Sequence, residues 1–373
     1  MLKKSFFQIH WFLGITAGLI LSLMGVTGAI YSYEQQILKW INQDSYTVQV
    51  QDSAKLSPAE IYQHFHTHSP ELKINSITVA SAADESSVIN VVKEGQRRGL
   101  NMMINPYTAE MLPEIKGREF FAFIQQLHRN LTVGPVGKQI TGACALMLIF
   151  FVLSGLYLRW PKRHTWKQWF AVKPQLKGRN FIWDLHAVVG TWVIIFYLIF
   201  AMTGLYWSYG WWRDGMFKVL GVERPQATQQ AQPQRERATG DRGERESRPK
   251  SMDAIQTHRA LNQAWIAFPT QLKYEYSTLT LTLPKKDDGK LELSFVDKNI
   301  QHERARNKAT YDYQNNHFKD IELYEDKKLN EKIMSSMLPV HRGSFFGPIY
   351  QFVAMLASLA MPLFFVTGWM LYL

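Results

Sequence analysis

Apolar residues gather into four stretches, roughly 11–33, 136–158, 187–209 and 349–373, separated by long polar segments. Each is long enough to supply the ~20 residues that cross a ~30 Å hydrocarbon core, so four transmembrane helices are predicted. Lys3 and Lys4 precede the first stretch as they would in a secretory leader. Its apolar run is too long for one, however, and Tyr31-Ser32-Tyr33-Glu34 offers no small-residue cleavage site, so the segment reads as a retained helix.

The two long polar segments each read as a small α+β unit, in which a helical stretch precedes alternating, β-rich runs. Ser57-Pro58-Ala59-Glu60 carries a helix cap, a proline at the first helical position and a box residue, and strands are predicted near 74–81, 86–94 and 101–105. In the second segment a helix near 252–265 precedes strands near 274–283 and 290–297 and a weaker one near 310–313. The stretch 225–250, rich in Gln, Arg, Glu, Gly and Pro, cannot bury a core and reads as a disordered insertion. The predicted fold is membrane α-helical: four transmembrane helices in two tandem two-helix repeats, with two periplasmic α+β units. Its segments are a first span at 1–33, a unit at 34–127, a second span at 128–160, a loop at 161–182, a third span at 183–209, a second unit at 210–340 and a fourth span at 341–373.

Averaged composition hides this organisation, since 46% hydrophobic residues and a mean hydropathy of −0.18 resemble a soluble protein. The formal charge of +11 comes without a nucleic-acid motif, which argues against nucleic acid as a partner. Arg159, Lys162, Arg163, Lys167, Lys173, Lys177 and Arg179 crowd the short loop between spans two and three. With Lys3 and Lys4 they place that loop and both termini in the cytoplasm, and both long segments in the periplasm. Cys144 is the single cysteine, so no disulfide, thiolate metal site or CxxCH haem attachment is available.

Internal repetition carries the chemical reading. His10 is followed by Gly14 and Thr27-Gly28, and His186, at the same offsets, by Gly190 and Thr203-Gly204. His128-Arg129 is followed by Gly134-Pro135 and Ser154-Gly155, and His341-Arg342, again in register, by Gly347-Pro348 and Thr367-Gly368. Such agreement implies a tandem duplication whose halves are related by a pseudo-two-fold axis along the membrane normal. His10 then pairs with His186 near the cytoplasmic face, and His128 with His341 near the periplasmic face. Two imidazoles approaching from opposite sides are what a haem iron takes, so the two pairs imply two non-covalent haems with these four histidines as axial ligands. Zinc or copper would be short of ligands in a two-histidine layer. The glycines read as close helix packing or as room for a flat porphyrin. Arg129 and Arg342 are candidates for haem propionates, or for lipid headgroups. Trp207, Trp211 and Trp212 read as an interfacial aromatic belt, and His302 as a solvated residue.

His10-Trp11-Phe12-Leu13-Gly14, Leu127-His128-Arg129, Ser154-Gly155-Leu156-Tyr157-Leu158-Arg159-Trp160-Pro161, Asp184-Leu185-His186 and the Thr-Gly ends resemble the PepSY-associated transmembrane helix family over nearly the whole chain. That resemblance implies an iron-regulated bacterial inner-membrane protein with PepSY-like periplasmic units, of the di-haem ferric-siderophore reductase type. It implies two b haems on the four histidines, a ferric siderophore or other ferric chelate as substrate, and a flavin, an NADPH-linked reductase or a quinol as electron donor. The 225–250 insertion and the end of the chain at Leu373, without a basic tail, depart from the family pattern. Because some relatives are fused to flavoprotein domains, this departure leaves open that the chain is part of a longer polypeptide. A non-catalytic PepSY binding or regulatory protein and a siderophore or metal transporter are the rival readings.

Overall fold

The computed structural model describes residues 2–161, 164–224, 252–284, 287–299 and 302–372; the expected insertion at 225–250 lies outside them. The principal helices are α1 (Leu2–Ser32), α2 (Pro58–His68), α3 (Arg118–Asn130), α4 (Gly134–Arg159), α5 (Gly178–Ser208), α6 (Ala254–Ala267), α7 (Met337–Arg342), α8 (Pro348–Leu359) and α9 (Met361–Tyr372). The strands are β1 (Ile74–Ala80), β2 (Ser87–Lys93), β3 (Gln96–Ile104), β4 (Tyr276–Thr282), β5 (Lys290–Asp297), β6 (Arg306–Asp312) and β7 (His317–Glu322). The chain divides into a helical unit (Met1–Leu38, Gly117–Glu223, Ile333–Leu373) and a sheet-bearing unit (Lys39–Lys116, Arg224–Lys332).

In the helical unit, α1, α4, α5 and the consecutive α8 and α9 are long and apolar enough to cross a membrane, with mean hydropathies of 1.9 to 2.1 over their most apolar windows. Such helices satisfy every backbone group internally, which the hydrocarbon requires. They pack in a ring, α1 and α5 each touching α4 and α9, so α1 and α5 stand diagonally opposite. Small residues set the approach: a Cβ at Gly25 would fall 2.5 Å from the Ser358 carbonyl and 2.6 Å from Met361 Cβ, so only glycine lets α1 lie this close to its neighbour. Leu21, Leu148, Val193 and Tyr197 fill the centre of the ring.

His128 and His341 lie on the short helices α3 and α7, where the sequence expectation placed them on the second and fourth spans themselves. Leu131, Thr132 and Gly134, at φ of 52°, 60° and 63°, break the chain between α3 and α4. Gly343 and Gly347, at 89° and 91°, do the same between α7 and α8. Thr141 Oγ1 donates to the Arg129 carbonyl at 2.8 Å and ties the end of α3 to α4.

The sheet-bearing unit holds one antiparallel sheet of order β3-β2-β1-β4-β5-β6-β7, where two separate α+β units were expected. β1 and β4 pair from Ser76↔Thr282 to Ala80↔Thr278, joining the two segments edge to edge. Ile77, Ile89, Leu279, Leu281 and Leu291 pack with Ile61 and Phe65 of α2, Leu261 of α6 and Phe268 just after it in one shared core. Both helices open with capping boxes, Ser57 with Glu60 and Asp253 with Gln256. β3 begins earlier than expected because a turn at Gly95 (φ 76°) pairs Lys93 with Gln96. β6 is longer than expected because Asn307 takes a buried position in its alternation, donating to Asp297 Oδ1 at 2.7 Å. His302 is buried rather than solvated, bonded through Nε2 to the Tyr324 hydroxyl at 2.9 Å.

Candidate functional site

α1 and α5 carry His10 and His186 to within 6.5 Å of one another, ring centre to ring centre. α3 and α7 bring His128 and His341 to 6.1 Å. These are the pairs that the repeat spacing implied, and the separations have chemical content. An imidazole nitrogen sits about 2.0–2.1 Å from a first-row metal and about 1.2 Å from its own ring centre, so two imidazoles on opposite sides of one metal have centres about 6.4 Å apart. Both pairs match that spacing. Seventeen residues of α1 separate His10 from Thr27, whose hydroxyl lies 3.3 Å from His128 Nδ1. At about 1.5 Å per residue the two pairs are therefore roughly 25 Å apart along the helix, close to the ~30 Å thickness of a hydrocarbon core.

Every one of the four rings has its Nδ1 engaged. His10 Nδ1 lies 2.7 Å from Ser154 Oγ, His186 Nδ1 2.7 Å from Thr367 Oγ1, and His341 Nδ1 2.8 Å from Thr203 Oγ1. His128 Nδ1 donates to the Met24 carbonyl at 2.9 Å, with Thr27 Oγ1 as the farther contact. These hydroxyl residues served the sequence reading only as repeat markers. Their place in the site was hidden because Ser-Gly or Thr-Gly in an apolar helix looks like a packing pair.

A cavity of about 400 Å³ opens beside His10 and His186, lined mostly by apolar side chains and by Gly14, Gly18, Gly155, Gly190 and Gly368, with Arg159, Arg179, Asn180 and Thr191 among its other polar members. A Cβ at Gly14 or Gly368 would meet nothing within 4 Å, so the missing side chains leave a flat, open cradle. The glycines that follow the hydroxyl residues have a further part. Gly28, Gly155 and Gly204 lie against Cε1 of His128, His10 and His341 at 3.0, 3.6 and 3.5 Å, measured from the Cβ each lacks.

Aromatic rings link the two pairs along one side of the bundle. Phe364 stands 5.1 Å from His186, Tyr197 5.7 Å from Phe364, Phe200 6.5 Å from Tyr197, and His341 5.9 Å from Phe200. In the first half Phe151 packs on His10 in the same way, at 5.2 Å, but Leu21 and Met24 stand where Tyr197 and Phe200 would be. Trp207 lies 5.5 Å from His341, so this member of the expected interfacial belt also packs on a site ring.

Arg129 and Arg342, equivalent in sequence, differ in surroundings. Arg129 is exposed. Arg342 is buried, 3.6 Å from Glu34 Oε2 and stacked over Tyr31 at 5.4 Å. Among the described residues, no three or more His, Cys, Asp or Glu side chains cluster to hold a metal ion. Each layer brings two imidazole rings together.

No match was found among curated proteins. A family model described as the PepSY-associated TM region matches residues 7–373, essentially the whole chain, and together with the four apolar helices it marks a membrane protein. The chain belongs to the PepSY-associated TM region family.

Proposed function

We propose that the two histidine pairs are the axial ligands of two b-type haems, and that the chain is a ferric-chelate reductase that carries electrons across the bacterial inner membrane to a ferric siderophore or similar chelate. The observation that carries this reading is the spacing of both pairs, 6.5 and 6.1 Å, which suits one shared metal each. When bound, each haem would supply a one-electron iron couple, and release of iron follows because Fe(II) binds hard oxygen ligands more weakly than Fe(III) does. The chain's own part is to fix the redox groups and exclude water. His10 with His186 and His128 with His341 would hold the two irons, and such histidine ligation would favour electron transfer over oxygen activation. Leu21, Leu148, Val193 and Tyr197 put apolar side chains between the layers.

The matching offsets of the two halves, and the strand order that continues α2-β1-β2-β3 into α6-β4-β5-β6 across β1 and β4, support two tandem repeats with PepSY-like outer units. The basic loop around Arg159 and Arg179 favours cytoplasmic termini, so that electrons enter at His10 and His186 from a flavin, an NADPH-linked reductase or a quinol and leave near His128 and His341.

Pyridine haemochrome analysis of the purified protein tests this directly. About two haems per chain are expected, falling to about one in His10→Ala or His128→Ala, with low-spin spectra throughout. A value near zero in the natural chain ends the proposal.

A further inference from the structure

Resting on the haem reading above, we infer that Ser154 and Thr367 are positioning residues that fix the ring form and basicity of His10 and His186, and that the His128 and His341 layer is held by a different, more redundant device. A hydroxyl has one proton to give. Ser154 Oγ donates it to the Phe150 carbonyl at 2.6 Å, and Thr367 Oγ1 to the Leu363 carbonyl at 2.6 Å. A carbonyl can only accept, so both protons are spent along the helix. The same oxygens must therefore accept from the histidines, which puts the imidazole proton on Nδ1 of His10 and His186 and leaves Nε2 bare for a metal. Thr203 likewise donates to the Ile199 carbonyl while 2.8 Å from His341 Nδ1, but His341 also has a backbone partner at Phe200, which the histidines of the first layer lack among the described residues.

His128 departs from the pattern of the first layer in the same way. Its Nδ1 proton goes to the Met24 carbonyl at 2.9 Å, and Thr27, which donates to the Leu23 carbonyl at 2.6 Å, is a second acceptor at 3.3 Å. Removing Thr27 therefore leaves His128 its backbone partner, whereas removing Ser154 strips His10 of the one bond its Nδ1 makes among the described residues.

The experiment compares Ser154→Ala, Thr367→Val and Thr27→Val in the full chain, with Ser154→Thr as the conservative rescue. Haem affinity, the midpoint potential of each haem and the low-spin EPR signal are measured. Ser154→Ala and Thr367→Val should weaken retention of one haem by about 10–100-fold, the usual cost of losing such a partner, and shift the potential of that haem alone. Ser154→Thr should restore both, and Thr27→Val should leave affinity within a few-fold of the natural chain. A natural chain without haem overturns the haem reading and this inference together. Two haems with unchanged affinity, potential and EPR signal in Ser154→Ala and Thr367→Val, or a loss in Thr27→Val equal to theirs, overturn the inference and leave the haem reading standing.

Discussion

Gly28→Ala should damage the outer histidine pair while its counterpart, Gly204→Ala, does not. A methyl group at Gly28 would stand 3.0 Å from His128 Cε1 and 3.4 Å from its Nδ1. Carbon atoms rest at about 3.5–4.0 Å, so the ring would have to retreat by about 0.5–1 Å. It has little freedom to do so. Its Nδ1 proton is held by the Met24 carbonyl at 2.9 Å, and on the far side it faces His341 at 6.1 Å. Overpacking of this kind costs about 1–3 kcal/mol, while exchanging glycine for alanine within a helix returns about 1 kcal/mol. The net loss of stability is therefore small, and the damage falls on the position of the ring, where a productive site tolerates about 0.5 Å. At Gly204 the same methyl meets His341 Cε1 at 3.5 Å, an ordinary contact. Haem per chain, midpoint potentials and melting temperature are the measurements. Gly28→Ala should lose or shift the outer haem at near-natural melting temperature, and Gly204→Ala should match the natural chain. Two unaltered haems in Gly28→Ala would refute the argument that this glycine sets the ring's seat.

Gly14→Leu fills space that the cradle beside His10 leaves open, so it should cost the inner haem by haemochrome analysis while thermal stability stays near that of the natural chain. In the sheet, Leu281 is fully buried at the β1 and β4 seam, and Leu281→Ala should destabilise it by about 2–5 kcal/mol in denaturant titration. Lys319, at 2.8 Å, and Asn315 hold the Asp312 carboxyl well below the usual carboxylate range. The stability it contributes is full above about pH 4 and is lost as the pH falls toward its lower folded value, so Asp312→Asn should reduce stability at neutral pH and flatten its acid dependence.

The spans were legible because an apolar run of membrane length has few other uses, and the pairing of the histidines was legible because the offsets repeat exactly in sequence. Other features left no local signal. The β1 and β4 seam joins Thr78 to Thr280, whose hydroxyls meet at 2.8 Å across 202 residues, and no periodicity within either segment announces such a partner. β7 went unread because it is a sheet edge with mostly exposed or half-exposed side chains, so its charges break the alternation. α3 and α7 were absorbed into the neighbouring spans because the glycines that separate them also fit a helix that packs closely. Equivalence in sequence also overstates equivalence in space, since Arg342 is committed to Glu34 and Tyr31 whereas Arg129 is exposed.

The bonds within each half divide the labour of the site in a way that the repeat spacing alone does not reveal. His10 is oriented by Ser154 and His128 by Met24 and Thr27, all from the first half; His186 is oriented by Thr367 and His341 by Thr203, all from the second. Orientation is thus local to a half, while each opposed pair takes one ring from either half. A two-span unit of this kind presents two aimed imidazoles but cannot by itself place a second ring opposite either one. The halves differ between the layers, where Tyr197 and Phe200 of the second stand at the offsets of Leu21 and Met24 in the first. The four hydroxyl positions match because each one lies against a histidine Nδ1, and Gly28, Gly155 and Gly204 lie against a histidine Cε1.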